Sequence, residues 1–263
     1  MTLYTDIDPY CCEVIRARIA DGSLPPGEVW CRDVTTLTDD ELRAFDQVHL
    51  FCGIGGSPLG LKMAGWPSDA PIVTGGFPCQ DVSDAGLRAG ITAPRSGLFR
   101  EVVRALRVAP RAYGLLENVA ALLRRGMGVV LGELAAIGRD AEWDCLSACD
   151  VGAPHRRARI WVVAHPARGN GDRREVHHAP THQAEASKST RWVSDGTGIG
   201  VVDGRGNRRT RWVPDAAVCR VVDGLPGGVD ELKALGNAQV PQCVEVIARG
   251  MIDAIRESQA VPA

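Results

Sequence analysis

Short apolar runs alternating with helix-spaced apolar positions constrain this chain more than any other feature. Leu3-Tyr4-Thr5, Val29-Trp30-Cys31, Val48 to Phe51, Ile72-Val73 and Tyr113 to Leu116 each read as a strand. The stretches between them carry helical signals. Asp8 caps a helix with Pro9 at its first position, reaching about Ala20, and Gly22 to Gly27 is a loop. A helix after Gly56 carries Leu59, Leu61 and Met63 and stops near Gly65. Leu98, Val102, Ala105 and Leu106 recur at helical spacing, and Val129 to Ile137 forms a further helix. Trp143 to Cys149 and Arg159 to Ala164 read as a closing pair of strands. Such β/α alternation predicts an α/β fold: a mostly parallel sheet with helices on both faces.

Composition sets the outer bounds. The 263 residues bury one sizeable core plus a small appendage. A net charge of -2 does not advertise a polyanionic partner, but a basic groove can be offset by acids elsewhere. No stretch is long and apolar enough to span a membrane, and Met1 to Asp6 lacks the pattern of a signal peptide. The nine cysteines include no CxxC pair, which argues against structural zinc; no metal site is expected. The odd count fits reduced thiols in a cytosol-like compartment, so a cytoplasmic location is expected.

Composition divides the chain into three parts: 1–165, an insert over 166–225, and a closing segment over 226–263. The insert is rich in Gly, Arg, Asp, His and Thr and reads as small and β-rich or irregular. It contains an echo. Thr190-Arg191-Trp192-Val193 recurs as Thr210-Arg211-Trp212-Val213, and Val201-Val202-Asp203-Gly204 as Val221-Val222-Asp223-Gly224, which suggests two similar hairpins or an accident of duplication. In the closing segment Val244, Ile247, Ala248, Met251 and Ile255 form one face of a helix.

Chemistry-bearing residues gather at the ends of the predicted strands, where open α/β sheets bind ligands. Thr74-Gly75-Gly76-Phe77-Pro78-Cys79-Gln80 delivers a thiol to a loop. Phe51-Cys52-Gly53-Ile54-Gly55-Gly56 is a glycine-rich turn between strand and helix, and Leu115-Leu116-Glu117-Asn118-Val119 ends on a carboxyl group. Each has an ordinary explanation: a generic nucleotide-type turn, a buried spectator thiol, a salt-bridged surface acid. Together they suggest covalent catalysis with a bound cofactor. Arg157 and Arg159 are expected on one side of a strand, or on a solvated face.

In order and spacing these segments resemble the DNA cytosine carbon-5 methyltransferases. Phe51 to Gly56 resembles their S-adenosylmethionine loop, Gly76 to Gln80 their catalytic loop and Glu117-Asn118-Val119 their acidic strand end. Arg157-Ala158-Arg159 resembles their paired arginines, and Leu235-Gly236-Asn237-Ala238 their carboxyl-terminal motif. The resemblance implies a Rossmann-like methyltransferase sheet. It also implies attack by Cys79 on carbon 6 of a flipped-out cytosine, an acid in Glu117, and further catalytic contacts from Gln80, Arg157 and Arg159. The S-adenosylmethionine contacts it implies are Phe51, Gly53, Ile54, Gly55, Gly56, Pro78, Asn237 and Ala238.

One departure concerns chain order. In the family the glycine loop precedes the ribose and adenine segments, whereas here their counterparts, Asp6-Ile7-Asp8 and Arg32-Asp33-Val34, come first. A local permutation that preserves the assembled sheet accounts for this. The resemblance then implies Asp6 with Ile7 at the ribose end and Asp33 with Val34 at the adenine; the ordinary alternative is that Asp6 caps a helix and Asp33 is a turn residue. In two smaller departures, His155 stands where the family has glutamine, and Ala238 where a small hydroxyl residue is common. The insert occupies the place of the target recognition domain. Its arginines, Lys188, Trp192 and Trp212 are candidate contacts to double-stranded DNA. The resemblance further implies a bacterial or phage protein, expected as a monomer, with a possible restriction endonuclease partner. Three competitors stand beside this reading. They are the same chemistry on transfer RNA, a silent DNA-binding relative, and a nicotinamide oxidoreductase, for which the third glycine of the fingerprint is missing.

Overall fold

The structure is a computed structural model that describes residues 1–78, 96–167, 191–194, 199–202, 208–212, 234 and 237–260. A seven-stranded sheet forms the centre, from β1 (Thr2–Asp6), β2 (Glu28–Cys31), β3 (Gln47–Leu50), β4 (Ile72–Gly75), β5 (Tyr113–Val119), β6 (Ala141–Leu146) and β7 (Arg159–Ala164). Its order is β2-β1-β3-β4-β5-β7-β6. The first five strands of that order run parallel, and β7 is antiparallel to both neighbours. The helices are α1 (Pro9–Ala20), α2 (Asp39–Arg43), α3 (Gly56–Ala64), α4 (Phe99–Val108), α5 (Leu122–Arg125), α6 (Met127–Ala136) and α7 (Pro241–Ala260).

Strand alternation assigns each face. Leu3, Val73, Leu116, Ile160 and Val162 point to a core closed by Leu42 of α2, Val102 and Leu106 of α4, and Val130 and Leu134 of α6. Ile72, Leu115 and Trp161 point the other way, to Leu61 of α3 and Val244, Ala248 and Met251 of α7. Tyr4 joins Ile15 of α1 on that second side. Trp66 is buried there, donating Nε1–H to the Ala70 carbonyl at 3.1 Å. The α3–α7 contact depends on Gly60, where a Cβ would lie 2.5 Å from Val244 Cβ.

Several expectations need correction. The strand expected to reach Phe51 stops at Leu50, because Phe51 turns to φ 51° to start the glycine loop. The strand expected to reach Cys149 stops at Leu146. Ser147 and Asp150 cap each other there and wind Ala148–Val151 into a 3-10 turn. Arg157 is not on a strand: β7 begins at Arg159, and Arg157 occupies a turn at φ 38°. α2 was not anticipated, although Thr38 and Glu41 form the capping box that starts it.

The described part of the insert is a three-stranded antiparallel meander of β8 (Arg191–Ser194), β9 (Ile199–Val202) and β10 (Arg208–Trp212), ordered β10-β9-β8. Arg191-Trp192-Val193 of one copy and Thr210-Arg211-Trp212 of the other fall on its outer strands, and the described residues form one meander. Val221 to Gly224 lie outside the described residues.

Candidate active site

The site is built on the carboxyl edge of the parallel strands. At the end of β1, Asp6 accepts two backbone N–H groups, from Asp8 into Oδ1 at 2.9 Å and from Gly53 into Oδ2 at 2.7 Å. The second bond pins the glycine loop. Cys52 N–H also donates to the Thr5 carbonyl at 3.1 Å, so β1 holds two successive residues of the loop after β3. Gly53 sits at φ 53° with nothing within 4 Å of where a Cβ would be, which leaves its backbone open to a ligand. The cap of α1 is Asp8, whose Oδ1 accepts from Tyr10 N–H.

At the end of β5, Glu117 is 9% exposed. Strand register explains its partner: Glu117 faces Trp161 and Val119 faces Arg159, which makes Arg159 the diagonal neighbour of Glu117 on one sheet face. Arg159 Nε donates to Glu117 Oε1 at 2.9 Å. Burial pushes the Glu117 carboxyl up from its ordinary range, opposed by the positive charges of Arg159 and Arg157. Arg157 Nη2 donates to the Ala238 carbonyl at 2.7 Å, joining the turn before β7 to the approach to α7.

Asn118 is 2% exposed and donates Nδ2–H to the Phe77 carbonyl at 3.0 Å. It therefore fixes the backbone just before Pro78 and Cys79. In the sequence Asn118 stands only as the middle residue of the Glu117-Asn118-Val119 motif, with no role of its own. An amide beside a strand-end acid was the available signal.

These groups surround a cavity of about 250 Å³ lined by Asp6, Ile7, Phe51, Gly53, Pro78, Glu117, Arg157, Arg159 and Asn237, with Phe77 and Asn118 between them. A second cavity of about 390 Å³, on the far side of the glycine loop, takes Ile54, Gly56, Ala238 and His155; Arg157 borders both. Gly55 lines neither cavity, since its α-carbon is packed against Leu24. Asp33 and Val34 also stay outside them: Asp33 caps a single 3-10 turn by accepting from Thr35, and Val34 is buried in the core. Cys79 and Gln80 lie outside the described residues. Among the described thiols, Cys12 and Cys243 are pushed up to about 12 by burial and Cys52 is pushed well up, so all three are held protonated and poorly nucleophilic. Among the described residues no cluster of His, Cys, Asp and Glu fits a metal ion, and no helix is long and apolar enough to cross a membrane.

The sequence profile of C-5 cytosine-specific DNA methylases matches residues 66–215, more than half of the chain, beginning after the glycine loop. Similarity extends to the type II methyltransferase M1.HphI of Haemophilus parahaemolyticus, 29% identical over 167 residues that make up 61% of this chain and 38% of that protein. It extends also to M.AquIA of a Picosynechococcus strain, 26% identical over 189 residues, 67% of each chain. M.BsuFI of Bacillus subtilis is 35% identical over 109 residues, 40% of this chain and 27% of that one. The chain thus spans well under half the length of M1.HphI and M.BsuFI and two thirds of M.AquIA. Among solved structures, the S. pombe Dnmt2 methyltransferase is similar at 22% identity and a TM-score of 0.39, covering 63% of this chain and 43% of that one.

Proposed function

The chain belongs to the C-5 cytosine-specific DNA methylases, and we propose that it transfers a methyl group from S-adenosylmethionine to carbon 5 of a flipped-out cytosine in DNA. One observation carries this reading. A buried acid paired to an arginine, Glu117–Arg159, and a carboxylate pinned to a glycine loop, Asp6–Gly53, open into one cavity that Pro78 lines immediately before Cys79.

The residues suit the proposed donor. The open backbone of Gly53 and the Asp6 carboxylate beside it suit the ribose end, with Ile7 and Phe51 as apolar walls. Asp33, two residues past the end of β2, stands on the same sheet edge as Asp6 and is the proposed adenine contact. The order β2-β1-β3 supports the permutation: the ribose strand lies beside the glycine-loop strand although it precedes it in the chain. When bound, S-adenosylmethionine supplies an electrophilic methyl group.

The remaining chemistry falls to this chain. The Cys79 thiolate adds to carbon 6 of the ring, and electrons move toward nitrogen 3. Glu117 holds a proton at that nitrogen, and its burial favours the protonated form. Carbon 5 thereby becomes the nucleophile. After methylation, loss of the carbon-5 proton expels the cysteine sulfur and restores both thiolate and ring. Arg159 fixes the acid while its charge favours thiolate nearby, and Asn118 anchors the backbone leading to Cys79. Double-stranded DNA is the proposed partner, read in part by the 166–225 insert. The proposed setting is the bacterial cytoplasm or a phage-infected host, with the protein a monomer beside a cognate endonuclease.

The test compares methyl transfer to duplex DNA and to transfer RNA, with bisulfite sequencing of DNA from expressing cells. Duplex DNA is the expected substrate, and Cys79→Ser abolishes transfer. A duplex carrying 5-fluorocytosine traps the wild-type protein covalently in the presence of the methyl donor. Full activity in Cys79→Ser, or no adduct, overturns the reading.

A further inference from the structure

Gln239 has no part in the mechanism above, yet it touches both halves of the site. It stands one residue past Ala238, in the approach to α7. Its Oε1 accepts a hydrogen bond from Ser57 Oγ, in the first turn of α3. Its Nε2 is buried and makes no hydrogen bond of ordinary geometry among the described residues, yet it reaches the Glu117 carboxylate closely enough to favour the ionised form. That nitrogen faces the Glu117 carboxylate across Gly76, where a Cβ would lie 2.6 Å from Gln239 Nε2 and 3.2 Å from Glu117 Oε2. Only a residue without a side chain leaves the two groups room to meet. Gln239 lines the larger cavity and Glu117 the smaller, so this amide is part of the wall between them.

A buried N–H whose hydrogen bond is poorly made is a costly feature that calls for an explanation, and here the acceptor it reaches toward is an acid on the site wall. We propose that Gln239 is a positioning residue that acts through Glu117. Its amide N–H closes on the carboxylate, and its carbonyl, held by Ser57, ties the orientation of that carboxylate to the glycine-loop helix. The consequence for turnover rests on the methyl-transfer reading, whereas the contact itself does not. Among the described residues, the charged and titratable groups facing Glu117 are Arg159 of β7, Arg157 of the preceding turn and Cys243 of α7. A donor aimed at a carboxylate favours its ionised form, so loss of the Gln239 amide lets the proton affinity of Glu117 rise.

The experiment titrates the Glu117 carboxyl directly in the full chain, by carbon-13 NMR of labelled glutamate assigned with Glu117→Gln. In Gln239→Leu the midpoint moves to higher pH, and in Ser57→Ala it moves the same way by a smaller step. Gln239→Glu replaces the donor with an acceptor of similar size and also raises the midpoint; it serves if the leucine variant does not fold. Circular dichroism remains that of the wild type. In turnover, kcat of Gln239→Leu falls about tenfold, the size expected for one lost charge-assisted hydrogen bond, with KM for DNA unchanged. A midpoint that stays put or falls in a folded variant overturns the inference, whatever the activity. Midpoints that move as stated in a protein inactive on DNA and RNA uphold the contact and overturn only the reading of the activity.

Discussion

Asp6 and Glu117 are both carboxylates at the carboxyl edge of one sheet, and they are held in opposite ways. Asp6 accepts neutral backbone N–H groups from Asp8 and Gly53 and shapes a loop. Glu117 is buried, and a guanidinium from the antiparallel strand grips it. Backbone donors fix geometry and leave a carboxylate suited to hydrogen-bonding a ligand. A desolvated carboxylate under tension between burial and a nearby cation is suited to hold and release a proton. On that difference rests the proposal that Asp6 binds and Glu117 does the chemistry.

Substitution breaks the comparison most sharply at Glu117. Glu117→Gln is expected to lower kcat about a hundred- to ten-thousandfold, the usual range for losing a general acid, while donor affinity holds. Asp6→Ala is expected to do the reverse, weakening S-adenosylmethionine binding about ten- to a hundredfold, for the lost charge-assisted hydrogen bonds. Calorimetric Kd beside saturating kcat separates the two. If both variants lose affinity and turnover alike, the division of labour is wrong.

A smaller effect sharpens the account of Glu117. Burial raises its pKa and Arg159 lowers it, so Arg159→Ala raises it further. The protonated acid then persists to higher pH, and the alkaline limb of the kcat profile moves upward even though the maximum rate falls. Arg159→Lys lies between. A limb that moves downward contradicts the assignment of Glu117 as the acid.

The smallest expected effect concerns the scaffold both acids share. Gly60→Ala places a methyl group against Val244 and parts α3 from α7, costing about 1–3 kcal/mol in denaturant unfolding. At temperatures where it stays folded, its kcat is expected to fall by less than that of Gln239→Leu, since α3 also carries Ser57. A larger loss would mean that the α3–α7 contact reaches the site by a route besides Ser57 and Gln239.

Much of this was legible in the sequence because the signals are local. Apolar runs and glycine turns gave the strands of the central sheet, and the strand-end positions of Asp6, Phe51, Gly53, Pro78 and Glu117 followed from them. The errors have local causes too. Arg157 and Arg159 looked like one strand face, but a left-handed turn separates them. Trp143 to Cys149 looked continuous, but the Ser147–Asp150 caps end the strand early. Gln239 was missed because a glutamine after Asn237-Ala238 resembles any surface residue until Ser57, 182 positions away, is brought against it.

The sequence by itself determined which residue types could act and that strand ends would carry them, because period and turn chemistry are properties of neighbouring residues. Only the tertiary structure decided which of them meet. The order β2-β1-β3 set Asp6 against Gly53, and the antiparallel register of β5 and β7 set Arg159 against Glu117. Sheet order and register are fixed by packing between distant segments, and that packing also left Asp33 outside the cavity that Asp6 lines.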